Sequence, residues 1–181
     1  MDNLLLIKEN AELKRLSAEL GYKNTLFLDK DFILITAKTK KELLKKIQQT
    51  QKSKQLLLFK PETEELFRFA LEKTTIDLIF GIENIHPKNS LHYLRGGIDQ
   101  ITAKIAAENG KIIAFSFSEA LNSKDKGKLL ARMKANFKIC KKYKIKTFVS
   151  NFSILKTELR SAKDISSFCR VIGGTGNELV L

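Results

Sequence analysis

The chain reads as an α/β protein, a single-domain TIM-like (β/α) barrel spanning residues 1–181, with about seven or eight mostly parallel strands and a first half that is irregular or incomplete. Three observations predict this. Short apolar runs recur along the sequence without strict in–out alternation, as expected of strands covered on both faces. Amphipathic helical stretches separate almost every pair of runs, the alternation that builds a parallel sheet. Seven or eight strands are also many for a small open sheet, which favours a barrel over the alternative of an open doubly wound sheet.

In order, residues 4–7 make a strand, and 11–20 a helix with Leu13, Leu16 and Leu20 on one face, closed by Gly21. Strands at 25–28 and 32–36 are joined by Asp29, Lys30 and Asp31. No helix fits between them, so the usual crossover is missing there. Residues 39–51 form a lysine-rich helix with Leu43, Leu44 and Ile47 inward, and 51–55 a loop. After a strand at 55–59, Pro61 opens a helix that buries Leu66, Phe67, Ala70 and Leu71. A strand at 76–82 leads into a loop, 83–94, that holds both histidines.

The densest signal lies in residues 95–118. Gly96 and Gly97 break what precedes them, and Ile98, Ile101 and Ile105, with Thr102, then share one side of a helix. Asn109 and Gly110 end it, and 112–117 reads as a buried strand. Residues 124–143 form a long amphipathic helix. Leu129, Leu130, Met133, Phe137 and Cys140 gather on one side, and Lys128, Arg132, Lys134, Lys138, Lys141 and Lys142 on the other. A strand at 146–150, a helix at 161–172 and a closing strand at 178–181 complete the pattern.

Thirty-three Lys and Arg against 20 Asp and Glu leave a net charge of +13, far beyond what solubility needs. A polyanionic partner follows, and nucleic acid is favoured over membrane because no apolar run approaches the ~18 residues that span a bilayer. The opening residues do not read as a signal peptide. Cys140 and Cys169, with no partner spacing, read as reduced buried thiols, which places the chain in the cytoplasm.

The charge is clustered. Residues 121–146 hold ten Lys or Arg and one acid, Asp125; residues 37–60 hold eight lysines and one acid, Glu42. The first cluster follows one side of one helix and its leading loop, the pattern of a phosphate-binding face, which would position a nucleic acid without reading its bases. The candidates for RNA or DNA contact are therefore Lys124, Lys126, Lys128, Arg132, Lys134, Lys138, Lys141 and Lys142, with Arg95 and Arg160 on the rim that follows the strands. Each rim arginine could grip a phosphate with two hydrogen bonds or pair with Asp99 or Asp164. Gly97, Asp99 and Asp164 read as structural rim or capping residues, Asp99 in a first helical turn. His86 and His92 lack metal-ligand spacing, Ser116 and Ser118 lack a nucleophile elbow, and the phenylalanines fall at core positions, so no catalytic residue and no metal ligand is predicted.

The central segment resembles the ribonuclease P protein component 3 family, the archaeal counterpart of the eukaryotic thirty-kilodalton subunit. Gly97, Ile98, Asp99, Ala103, Ala106, Phe115, Ser116, Ser118 and Leu121 carry the likeness. Over 75–173 it extends to Arg132 with Met133, Lys142 with Tyr143, Ser150, the run Glu158, Leu159, Arg160 and Ser161, Asp164 and Gly173. The resemblance implies a TIM-like barrel subunit of the ribonucleoprotein that removes the 5′ leader from precursor tRNA. It further implies partners in ribonuclease P RNA, precursor tRNA, ribonuclease P protein component 2 and other protein subunits. It implies no cofactor on the protein and no membrane, with Mg2+ on an RNA that performs the hydrolysis. The alternatives are a free-standing metal-dependent hydrolase of a related barrel class and a generic basic RNA-binding module.

Overall fold

The computed structural model describes residues 1–50 and 54–175; the closing strand expected at 178–181 and most of the loop expected at 51–55 lie outside them. Among the described residues seven strands, β1 (Asp2–Lys8), β2 (Asn24–Leu28), β3 (Phe32–Ile35), β4 (Leu56–Phe59), β5 (Leu78–Phe80), β6 (Ile112–Ser116) and β7 (Lys146–Ser150), pair in parallel in chain order. The two edges meet through a bridge between Leu5 and Ser153. Leu6 N donates to Ser153 O at 3.0 Å and Phe152 N to Leu4 O at 2.9 Å, so β1 and the chain just past β7 form the seam of a TIM-like sheet.

The apolar runs do what covered strands require. Leu4, Phe32, Leu58, Leu78, Phe80, Ala114, Phe148 and Phe152 fill the interior, with Phe80 stacked on Phe152 at 4.8 Å. The alternate residues, among them Ile35, Phe59, Ile79, Ile113, Phe115 and Val149, face outward into a second core under the helices. The helices are α1 (Ala11–Glu19), α2 (Lys40–Thr50), α3 (Glu64–Lys73), α4 (Gln100–Glu108), α5 (Phe117–Asn122), α6 (Lys126–Lys142) and α7 (Ala162–Ile172).

The missing crossover between β2 and β3 is real, and a tight turn replaces it. Asp29 takes φ 64°, Asp31 N donates to Phe27 O at 3.0 Å, and the Asp31 carboxylate accepts from Phe27 N at 2.8 Å. The strand steps sideways by one position and runs on in the same direction, with a single pairing, Leu28 to Phe32. Two sequence readings are corrected. Phe117 is not the end of a strand: Ser116 Oγ accepts from Glu119 N at 3.1 Å and starts α5 one residue earlier. That S-x-x-E spacing is an N-cap signature. In α4 the buried residues are Ala103 and Ala106, while Ile101 is 59% exposed, because small side chains let this helix lie close to its neighbours.

Candidate nucleic-acid interface

Helix α6 carries the candidate face. Asp125 caps it, accepting from Lys128 N at 2.9 Å, and Leu129, Met133, Phe137 and Cys140 anchor it to the core. That anchoring turns Lys134, Lys138, Lys141 and Lys142 to solvent, with Lys124 and Lys126 exposed ahead of them. Lys128 is half-buried, and its Nζ donates to Pro87 O at 3.1 Å. Among the described residues, none of these seven lysines has a carboxylate within ion-pair distance. Lys134, Lys138 and Lys141 border a groove of about 400 Å³ shared with Val171 and Ile172 of α7. The second basic cluster differs: Lys40 pairs with Glu65, Lys46 with Glu42 and Lys60 with Glu119. Both clusters look alike in sequence. Among the described residues the second is partly neutralised, with Lys38, Lys41 and Lys45 left unpaired, while the α6 face has no paired lysine.

Arg132 is a correction to the sequence reading. It is 1% exposed and does not belong to the solvent face. Three residues after Leu129 and four before Asn136, it sits on the buried arc of α6, where its guanidinium donates to Glu83 O at 2.8 Å, His86 O at 2.6 Å and Asn89 Oδ1 at 2.8 Å. Through Nε and Nη1 the guanidinium satisfies oxygens of a segment whose own backbone order is a single 3-10 turn, Ile82–Asn84. Asn136 continues the device, donating to Gly96 O at 2.7 Å. Gly96 and Gly97 allow the approach: a Cβ on Gly96 would lie 2.2 Å from Asn136 Oδ1, and one on Gly97, at φ +103°, 2.1 Å from Ile82 O. No pattern of spacing identifies Asn136 or the buried role of Arg132, since both depend on a loop 40 or more residues upstream.

The rim arginines take separate positions. Arg95 is exposed on that loop, and no acid pairs with it among the described residues. Arg160 turns back on its own segment, donating to Thr157 O at 3.0 Å and Leu159 O at 2.8 Å. Asp99 closes a capping box with Thr102 on α4, and Asp164 one with Ser161 on α7, so neither aspartate is an ion-pair partner for either arginine.

At the C-terminal mouth of the strands, where TIM-like enzymes hold their chemistry, the polar side chains bond one another. Lys60 Nζ and Glu119 Oε1 are 2.5 Å apart, and Asn84 Nδ2 donates to Glu119 Oε2 at 2.6 Å. Glu158 accepts from Ser118 Oγ and Asn122 Nδ2, each at 2.6 Å. Behind them Glu83 is completely buried, with no hydrogen-bond partner on either carboxyl oxygen. Burial, reinforced by the charge of Glu119 and opposed by Lys60 and Arg132, pushes its carboxyl up to about 8. His86 Nε2 contacts Glu64 Oε1 at 2.5 Å, away from His92. Among the described residues no three His, Cys, Asp or Glu side chains converge as metal ligands.

Fold and site together define a TIM-like parallel α/β protein whose distinguishing surface is a lysine face on one helix. The chain belongs to the RNase P subunit p30 family, whose model matches residues 33–178. It is 29% identical over 126 residues to ribonuclease P protein component 3 of Methanosarcina mazei, covering 67% of this chain and 48% of that protein. The same component of Methanosarcina barkeri is 27% identical over 125 residues, covering 68% and 49%. The chain thus spans about half the length of these curated relatives. A chain from a cryo-EM structure of archaeal ribonuclease P with mature tRNA shares the fold, with a TM-score of 0.77 at 18% identity, covering 97% of this chain and 84% of that one.

Proposed function

We propose that this chain is a protein subunit of ribonuclease P, which removes the 5′ leader from precursor tRNA. It binds the RNA through Lys124, Lys126, Lys128, Lys134, Lys138, Lys141 and Lys142. The observation that carries this reading is the α6 face itself: seven lysines on one helix and its leading loop, none with a carboxylate within ion-pair distance among the described residues, whereas Lys40, Lys46 and Lys60 of the other cluster each pair with an acid. An unmatched row of ammonium groups on a rigid helix releases counterions when it meets phosphates and tolerates any sequence. In this reading the RNA, with its magnesium, performs the hydrolysis, and the protein braces it together with ribonuclease P protein component 2. Family membership supports the assignment.

The test is reconstitution of the cognate RNA with this chain and component 2, following leader cleavage against magnesium concentration. The magnesium requirement should fall when the proteins are added; an unchanged requirement refutes the assignment.

A further inference from the structure

The loop between β5 and α4 presents more apolar surface than any requirement of its own folding. Leu91 is 92% exposed and Tyr93 61%, Leu94 stands beside them, and Ile101, 59% exposed, faces them from the first turn of α4. Tyr93, Leu94 and Ile101 line a cavity of about 390 Å³ between α3 and α4, with Arg95 at its edge. The loop is not slack. Arg132 ties it at residues 83, 86 and 89, Lys128 at Pro87, and Asn136 at Gly96. A segment held at five points while its aliphatic side chains point into water is organised for a partner.

We infer that this surface docks a second protein, one that offers an apolar face to Leu91, Tyr93, Leu94 and Ile101 and a carboxylate to Arg95. This rests on the proposed subunit role and adds the surface through which the protein partner is held. Three of the four apolar side chains, Leu91, Leu94 and Ile101, are aliphatic; they gain nothing from phosphates and do not stack on bases. A face that leaves only Tyr93 and Arg95 suited to a nucleotide argues against RNA as the occupant. A net charge of +13 repels a second copy of the chain. Tyr and Arg among aliphatic residues, with the charge at the border, is the composition of a protein interface. Docking here would set the partner beside the N-terminal end of the α6 lysine face, since Lys128 touches this loop.

The experiment measures binding of purified ribonuclease P protein component 2 to the full chain and to Leu91→Asp, Arg95→Glu and Lys163→Glu. The last is an equal charge reversal on α7. Leu91→Asp and Arg95→Glu should each weaken binding tenfold or more with unchanged unfolding midpoints, and Lys163→Glu less than threefold. If wild type binds and both loop variants bind equally well, the inference falls and the subunit reading stands. If the loop variants instead lose affinity for ribonuclease P RNA alone, the surface belongs to RNA and the inference is overturned. Self-association of the wild-type chain that Leu91→Asp abolishes overturns it in favour of a second copy. If wild type does not bind component 2 at all, the proposed partnership fails and this inference with it.

Discussion

Glu83→Gln separates a buried proton from everything else that titrates in this protein. Glu83 is fully buried, its two oxygens have no hydrogen-bond partner, and Glu119 stands close enough to add like-charge repulsion. Its carboxyl therefore keeps its proton up to about pH 8 in the folded chain, against an ordinary value of 4.5. Between those values the folded state holds a proton that the unfolded state has released, so stability falls as pH rises. The slope is about 1.4 kcal/mol per pH unit. Over the whole interval the loss approaches 5 kcal/mol, to order of magnitude. Glutamine has nearly the same shape and no proton to lose. Chemical denaturation of wild type and Glu83→Gln across pH 5–8.5 should show the variant overtaking wild type as pH rises, the two curves diverging until the carboxyl ionises. Parallel curves would refute the reasoning, since they would mean that Glu83 titrates alike in both states.

Further outcomes follow from the same contacts. Arg132→Met should destabilise the fold by ~2–4 kcal/mol in urea unfolding, because the carbonyls of Glu83 and His86 lose their donor; Arg132→Lys should not restore it, an ammonium lacking the planar fork. Gly97→Ala should cost more than Gly110→Ala in thermal unfolding. Both glycines have positive φ, but a Cβ at 97 would strike the Ile82 carbonyl while one at 110 meets nothing within 4 Å, leaving only a backbone cost of ~1 kcal/mol there. Replacing Lys134, Lys138 and Lys141 together by alanine should lower the slope of log affinity for RNA against log salt by about 2–3, whereas Lys40→Ala, which removes a lysine already paired with Glu65, should leave it nearly unchanged.

Much of the fold was legible in the chain because strands buried on both faces and helices buried on one leave different periodicities. Residues 146–150 and the boundary at Asn109 and Gly110 are read correctly from neighbours alone. The jog between β2 and β3 showed as a space too short for a helix. Periodicity could not say which side of a helix wins when two are plausible: α4 turns Ala103 and Ala106 inward because its neighbours lie close, and Ile101 is left in water. Composition likewise marked two basic clusters without distinguishing them.

What the sequence determined by itself is local: the alternation of covered strands with amphipathic helices, the capping residues Asp99 and Asp164, and an excess of cations along 121–146. Each depends on residues within a turn or two of one another, so spacing carries the information. Only the tertiary structure decided that Arg132 is a buried clamp and not a surface charge, that Lys40, Lys46 and Lys60 meet acids while the α6 lysines do not, and that residues 91–95 stand out from a loop held at its base. Those outcomes depend on which groups meet across forty residues or more, and a charged side chain's role follows from whether it keeps its water or exchanges it for a partner.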